Sequence, residues 1–187
     1  MELLTHKGTA LLETERLTLR RFTMDDAEAM FHNWANDLRV SEYMSWEPHP
    51  NAKCTRELLA DWIREYENEN HYHWCMEYKA IGEVVGSIGV ESIDEKALCG
   101  SIGYSLGHAM WGKGLMPEAL RAVLRFLFAE VGFYRIQATH DVRNPKSGRV
   151  MEKCGMQCEG TLRGAYHYKG QFADCKQYAI LQSDFEK

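Results

Sequence analysis

Residues 107–119, "GHAMWGKGLMPEA", decide how this chain is read. From Gly107 to Gly114 they run Gly-x-x-x-x-Gly-Lys-Gly, a triphosphate-binding loop in every position but the last, where a Ser or Thr would bind magnesium. No acidic strand end is evident to hold that metal, so triphosphate hydrolysis fits poorly. What survives is a more general mechanism. Gly112 and Gly114 let the backbone approach a ligand closely, and N–H groups from Gly112 through Lys113, Gly114, Leu115 and Met116 would face a bound phosphate at the start of a helix. Taken alone, the segment fits a metal-free pyrophosphate loop and a plain strand-to-helix connection equally well.

Working outward, residues 115–132 place Met116, Leu120, Val123, Leu124 and Leu127 on one helical stripe, with Pro117 in the first turn and Gly132 at the end. Before the loop, residues 73–79, 83–93 and 98–106 are strand-like and predict three adjacent antiparallel strands. After the helix come a strand over 134–142 and a short helix opened by Pro145 and stopped by Gly155. Strand, Gly loop, helix, strand, helix implies a right-handed crossover with parallel pairing of the two strands, hence an α/β class.

Nearer the start, Leu17 and Leu19 alternate with Thr18 and Arg20 in "RLTLRRF" (16–22), a half-buried strand. Thr23 would cap a helix over 24–36, where Ala27, Met30, Phe31 and Trp34 recur at helical spacing. A loop with Pro48 and Pro50 follows, then a second helix over 55–70. The final segment reads as two strands joined at Lys169-Gly170.

Composition narrows the function classes. With 187 residues, 45% hydrophobic and 26% charged, the expectation is one soluble domain spanning 1–187. No apolar run approaches the ~18 residues of a membrane span, and the first residues lack a secretory pattern, so a cytoplasmic protein without a membrane partner is expected. A formal charge of −5 argues against nucleic-acid binding. The six cysteines contain no Cys-x-x-Cys pair, and His71 and His73 lack an accompanying carboxylate motif, so no metal is expected.

"GSIGYSLGHAMWGKGLMPEAL" (100–120) followed by "NPKSGRVMEKCGM" (144–156) resembles the GNAT N-acetyltransferases. Trp-Gly-x-Gly at 111–114, Asn-x-x-Ser at 144–147 and Glu-Lys-x-Gly at 152–155 are similar to the ribosomal-protein-alanine branch. The resemblance runs from "ETERLTLRRF" to "DCKQYAIL", nearly the whole chain. It implies a mixed, mostly antiparallel sheet with a splayed central parallel strand pair flanked by helices, and acetyl-CoA as acetyl donor.

The resemblance also implies roles. The pantetheine arm would lie along Tyr104, Ser105 and Leu106, with a backbone N–H aimed at the thioester oxygen. Trp111, Gly114 and Met116 fall on the loop's anchor positions. Asn144 matches the Asn that bonds the pantetheine amide, and Ser147 matches the branch Ser near the sulfur, a candidate donor to the departing thiolate. Met151 occupies the position where many relatives carry a Tyr acid. Lys146 and Arg149 lie beside the expected adenosine-phosphate path, although a solvated helix face explains them equally well. Asn144, Pro145 and Ser147 would equally make an ordinary helix start.

For the base, Glu91 at the end of a central strand is the candidate, with His140 and Glu42 as alternatives. Trp46, Glu47, His49, Tyr166 and His167 are expected to line the acceptor mouth. The activity expected is direct acetyl transfer to a primary amine in a ternary complex, by a monomer or homodimer. The acceptor is a protein N-terminus or a small amine such as a polyamine, amino acid or drug; a non-catalytic acyl-CoA-binding module is the rival class.

Overall fold

The computed structural model describes residues 3–185. Its strands are β1 (Leu12–Glu13), β2 (Leu17–Arg20), β3 (His73–Tyr78), β4 (Glu83–Asp94), β5 (Cys99–Leu106), β6 (Arg135–Asp141), β7 (Gln157–Tyr168) and β8 (Gln171–Leu181). They form one eight-stranded sheet in the order β1-β2-β3-β4-β5-β6-β8-β7. The helices are α1 (Ala27–Met30), α2 (Leu38–Ser41), α3 (Ala52–Glu65), α4 (Leu115–Phe126), α5 (Pro145–Lys153) and α6 (Gln182–Phe185).

Alternation along β2 and β3 explains why both faces of the sheet are covered. Leu17, Leu19, Trp74 and Met76 point to one side, where they meet Leu115, Leu120, Val123 and Leu124 of α4. Cys75, between Trp74 and Met76, points the other way to Phe22, Met30, Trp34 and Leu59. Each wholly buried Leu or Trp contributes about 1.5–3 kcal/mol relative to exposure.

The segment after Thr23 is more broken than its spacing predicts. A 3₁₀ turn over Met24–Asp26, the single turn of α1 and a π turn over Phe31–Ala35 replace one regular helix. Asp26 accounts for the tight start, because its carboxylate accepts from the Thr23 N–H at 2.7 Å and from both Arg20 guanidinium ends at 2.8 and 2.9 Å. The helix after the loop likewise ends its regular α part at Phe126 and widens into a π turn over Leu127–Val131 before Gly132, at φ +91°. The hairpin at Lys169-Gly170 forms as the sequence predicts, with both residues at positive φ (51° and 71°), the geometry that matches strand twist.

The feature that positions the site lies at the parallel pair. β5 and β6 pair only through Cys99–Arg135, Gly100–Ile136 and Ser101–Gln137. β5 runs on to Leu106 and β6 to Asp141, so the strands part and leave a wedge. On the other side of β5, the register with β4 shifts between Val90 and Ser92, with Glu91 as the extra residue. A bulge bends its strand, and β5, paired to β4 along its length, follows that bend away from β6.

Helix α5 begins beside the open end of the wedge and packs on β6 at close range. A Cβ on Gly148 would meet His140 Nε2 at 2.6 Å, so the contact requires the absence of a side chain. Gly148→Ala is therefore expected to destabilise the protein by about 1–3 kcal/mol through overpacking, despite alanine's better helix propensity. Urea unfolding of the two proteins checks this.

Candidate active site

Two hollows meet where β5 and β6 part. The larger is a groove of about 790 Å³ running from the wedge past the Gly loop to α5. The smaller, about 100 Å³, sits within the wedge and is lined by Glu91, Thr139, His140 and Tyr166, among others. Tyr43, Met44, Tyr104, Asn144 and Ser147 border both, so a ligand along the groove can present one end to the small cavity.

The residues expected to bind the cofactor come together along this groove. Tyr104, Ser105 and Leu106 reach it from β5; Trp111, Gly112, Gly114, Leu115 and Met116 from the loop; Asn144, Lys146, Ser147 and Arg149 from the start of α5. Met116 buries its side chain in the core, which leaves its backbone on the loop side. Lys113 is the exception and does not line the groove: its N–H donates to the Met110 carbonyl at 3.4 Å, and its ammonium lies 3.6 Å from Met110 Sδ. Lys113 is thus the one cofactor-binding candidate that the groove's lining does not include. The physical reason is that the loop reverses here, with Gly112 and Gly114 at φ +79° and +76° on either side.

Trp111 anchors that reversal. Its indole N–H donates to the Leu106 carbonyl at 2.8 Å, and Lys146 Nζ sits 4.5 Å from its ring centroid. On the opposite side, the loop is held by Arg16, which donates to the Lys113 carbonyl at 2.8 Å and pairs with Glu118 of α4.

At the junction of the two hollows, the Tyr104 hydroxyl lies 2.9 Å from Ser147 Oγ and 3.0 Å from the Ser147 carbonyl. Burial pushes the Tyr104 phenol well above its ordinary range, so at neutral pH it is a protonated donor. Met151 is buried beside them and lines the small cavity.

The three candidate bases differ in access. Glu91 turns toward the wedge because it is the bulged residue, and its carboxyl fills the space where a Gly103 side chain would stand. Burial raises its pKa from the usual carboxylate value. His140 donates from Nδ1 to the Asp141 carbonyl at 2.7 Å, which leaves Nε2 as the lone-pair nitrogen. That Nε2 is enclosed beneath Gly148, away from the opening. Glu42 borders the groove, not the cavity.

Several acceptor-side expectations need correction. Trp46, Glu47 and His49 line neither hollow: Trp46 packs against the Phe22–Trp34 cluster, Glu47 lies 3.5 Å from Lys169, and His49 Nδ1 bonds Thr55 Oγ1 at 2.8 Å. The residues just before them, Tyr43, Met44 and Ser45, line the small cavity instead. His167 packs at a tilt against Phe172, 4.6 Å between centroids, whereas Tyr166 does line the cavity.

Sequence reasoning also missed Asp141, which orders the approach to α5. Its buried carboxylate accepts from Arg143 N–H at 2.8 Å, Arg143 Nη2 at 2.6 Å and Tyr168 Oη at 2.6 Å. Its carbonyl accepts from Asn144 N–H at 2.8 Å, so the same turn places Asn144 at the junction. The Arg143 hydrogen bond, against some cost of burial, holds Asp141 down at about 2.

The sequence matches the acetyltransferase (GNAT) domain family over residues 16–157, which includes the loop and both sides of the wedge. The chain belongs to the GNAT acetyltransferase family. It is 30% identical to the uncharacterized N-acetyltransferase p20 of Bacillus licheniformis over 93% of this chain and 97% of that protein. It is 33% identical to the [ribosomal protein uS5]-alanine N-acetyltransferase of Escherichia coli across 45% of this chain and 43% of that one. The crystal structure of a GNAT-family acetyltransferase from Bacillus anthracis superposes with a TM-score of 0.81 at 28% identity, over 93% of this chain and 99% of that one. The wedge between β5 and β6 is thus set in a GNAT sheet, and the protein is an N-acetyltransferase.

Two outcomes follow for this GNAT enzyme. Gly103→Ala displaces the Glu91 carboxyl, the flexible end of a side chain, so activity is expected to fall about tenfold or more while the unfolding midpoint stays close to that of the parent. Steady-state rates and a thermal melt on the same preparation check it. Asp141→Asn is expected to lower stability at pH 7. Because the folded-state pKa is depressed to about 2, the contribution of Asp141 is present above the unfolded carboxylate value of ~3.9. The difference between the two proteins should therefore fade as pH drops from ~4 toward 2, measured by denaturant unfolding.

Proposed function

We propose that residues 1–187 form one acetyltransferase domain that moves the acetyl group of acetyl-CoA to the α-amine of a protein N-terminus, by direct transfer in a ternary complex. The observation that carries this reading is the junction: a long groove ends at Tyr104, Asn144 and Ser147, where it opens into a small cavity holding Glu91. Donor and acceptor can each occupy one hollow and meet at the shared wall.

The groove residues fit the donor. Loop backbone at Gly112, Gly114, Leu115 and Met116 would meet the pyrophosphate, with Lys146 and Arg149 nearby. Beyond Ser101 the wedge-facing edge of β5 has left its partner strand, which suits pairing with the amides of the pantetheine arm. A β5 N–H there would stabilise negative charge on the thioester oxygen.

The cavity residues account for the proton traffic. Glu91 as carboxylate takes a proton from the ammonium, directly or through water, and the amine nitrogen attacks the carbonyl carbon. The C–S bond then breaks, and the second proton, shed by the acetylated nitrogen, passes to the departing thiolate through the hydroxyl of Ser147, which is hydrogen-bonded to Tyr104 and is left unchanged. Cys175 lines the cavity, but burial raises its pKa, away from the thiolate needed for an acetyl-enzyme. This favours direct transfer.

The acceptor class rests on two supports. The small cavity suits the amine end of an acceptor whose remainder lies outside it. One relative is a [ribosomal protein uS5]-alanine N-acetyltransferase. No helix among the described residues is long and apolar enough to cross a membrane.

The test is CoA release from acetyl-CoA with N-terminal peptides, the same peptides blocked at the α-amine, and a panel of polyamines, amino acids and amine drugs. Turnover of the free peptides alone is expected. Turnover of small amines alone would replace the acceptor class, and tight CoA binding without turnover would leave an acyl-CoA-binding module. Glu91→Gln is expected to cut kcat/KM about 100-fold at pH 7, with the deficit narrowing above the ~8 of an α-amine, where the acceptor is already neutral. A kcat/KM profile from pH 6 to 9 reads this.

A further inference from the structure

Arg16 lies outside the groove, at the turn between β1 and β2, yet its side chain reaches the Gly loop's central peptide. The turn is held firmly: Thr14 N–H donates to the Leu17 carbonyl at 2.9 Å and Leu17 N–H to Thr14 Oγ1 at 2.9 Å. From this base the Arg16 guanidinium spreads over two targets. Nε and Nη2 pair with Glu118 Oε2 at 2.6 Å each, and Nη1 donates to the Lys113 carbonyl at 2.8 Å.

Glu118 is itself saturated. Thr14 Oγ1 and the Arg16 N–H donate to its Oε1 at 2.6 and 2.9 Å. Burial works against its charge, but these bonds together outweigh that cost and hold its carboxyl below the usual range. A charged carboxylate fixed by four donors leaves the planar Arg16 fork little freedom, so its third arm has a defined direction.

That direction matters because of peptide planarity. The Lys113–Gly114 peptide is trans, as are the others among the described residues, so the Lys113 carbonyl and the Gly114 N–H point in opposite directions across one plane. With the carbonyl turned to Arg16, which does not line the groove, the Gly114 N–H is turned toward the groove that Gly114 does line. This plane needs an anchor. It joins Lys113 to Gly114, at φ +76°, and a glycine on its N–H side admits the turned-over plane at little cost.

We propose that Arg16 is a positioning residue for the donor's pyrophosphate: by holding the Lys113 carbonyl, it aims the Gly114 N–H into the groove. The proposal rests on the reading of that groove as the acetyl-CoA site.

The test compares parent and Arg16→Met by calorimetry, with CoA and with pantetheine, which has the same arm and no pyrophosphate; pantetheine is measured by competition. The variant is expected to bind CoA about tenfold or more weakly, the size of one lost hydrogen bond to a charged group, with pantetheine within about twofold of the parent. Equal weakening of both ligands would show that Arg16 only supports the fold and would overturn the proposal, as would unchanged CoA affinity. A parent that binds no CoA would instead overturn the groove reading on which the proposal stands. Should Arg16→Met not fold, Arg16→Lys is measured in its place. Its single ammonium must divide between Glu118 and the Lys113 carbonyl, so CoA affinity is again expected to fall with pantetheine spared, and parent-like CoA affinity would be decisive against the idea.

Discussion

The loss of pairing between β5 and β6 after Ser101 is the constraint on which the rest of this structure depends. A sheet that stayed paired to Leu106 and Asp141 would satisfy its own backbone groups and leave no hollow. By parting, the two strands give up ladder hydrogen bonds and gain a wedge whose wall on one side is unpartnered strand edge. The residues assigned to the acetyl transfer itself sit on that wedge or at its mouth. Tyr104 and Ser105 follow the last paired residues of β5, while Asn144 and Ser147 follow the end of β6. The bulge at Glu91 serves both ends of this arrangement, because one extra residue bends the strand and turns a carboxylate inward.

Absent side chains do as much here as present ones. Gly103 leaves the volume that the Glu91 carboxyl occupies, and Gly148 leaves the volume above His140 that lets α5 sit down on β6. The second contact also separates two candidate bases by geometry. It closes His140 Nε2 off from the opening, while Glu91 stays on the cavity wall with a pKa raised by burial. Access favours the carboxylate.

Much of this was legible in the sequence, for identifiable reasons. The strands on either side of the Gly loop, the stripe of α4 and the Lys169-Gly170 hairpin are local patterns of period 2, period 3.6 and turn chemistry, and they form where expected. Most groove residues were legible because they lie in two contiguous stretches, 104–117 and 143–153, whereas the lining over 39–44 carries no such motif. What was not legible depends on side chains far apart in sequence. Arg20 and Asp26 with Thr23 tighten the first helix into a 3₁₀ turn, a competition that helical spacing does not encode. Trp46 and His49 looked like mouth residues because their loop carries two prolines, but Trp46 is drawn to an apolar cluster and His49 to Thr55. The Asp141 network, with Arg143 two residues on, had a readable signal: an Asp-x-Arg step before an Asn-Pro helix start.

Net charge is the sequence property that says least about the site. At −5 the chain repels anions on average, yet its groove is read as holding a diphosphate. The resolution is local. A field from scattered surface carboxylates is screened within about a Debye length, ~8 Å at physiological salt, whereas backbone N–H dipoles act at contact distance and are not screened by ions they exclude. The cations near the groove are also partly committed elsewhere: Lys146 sits over the Trp111 ring, and Arg143 is bound to Asp141. Recognition by aimed backbone groups does not require a basic protein, but it does require that the peptide planes be held. In a loop whose flexibility comes from its own glycines, that holding has to come from outside it, on one side from Trp111 through the Leu106 carbonyl and on the other from Arg16 through the Lys113 carbonyl.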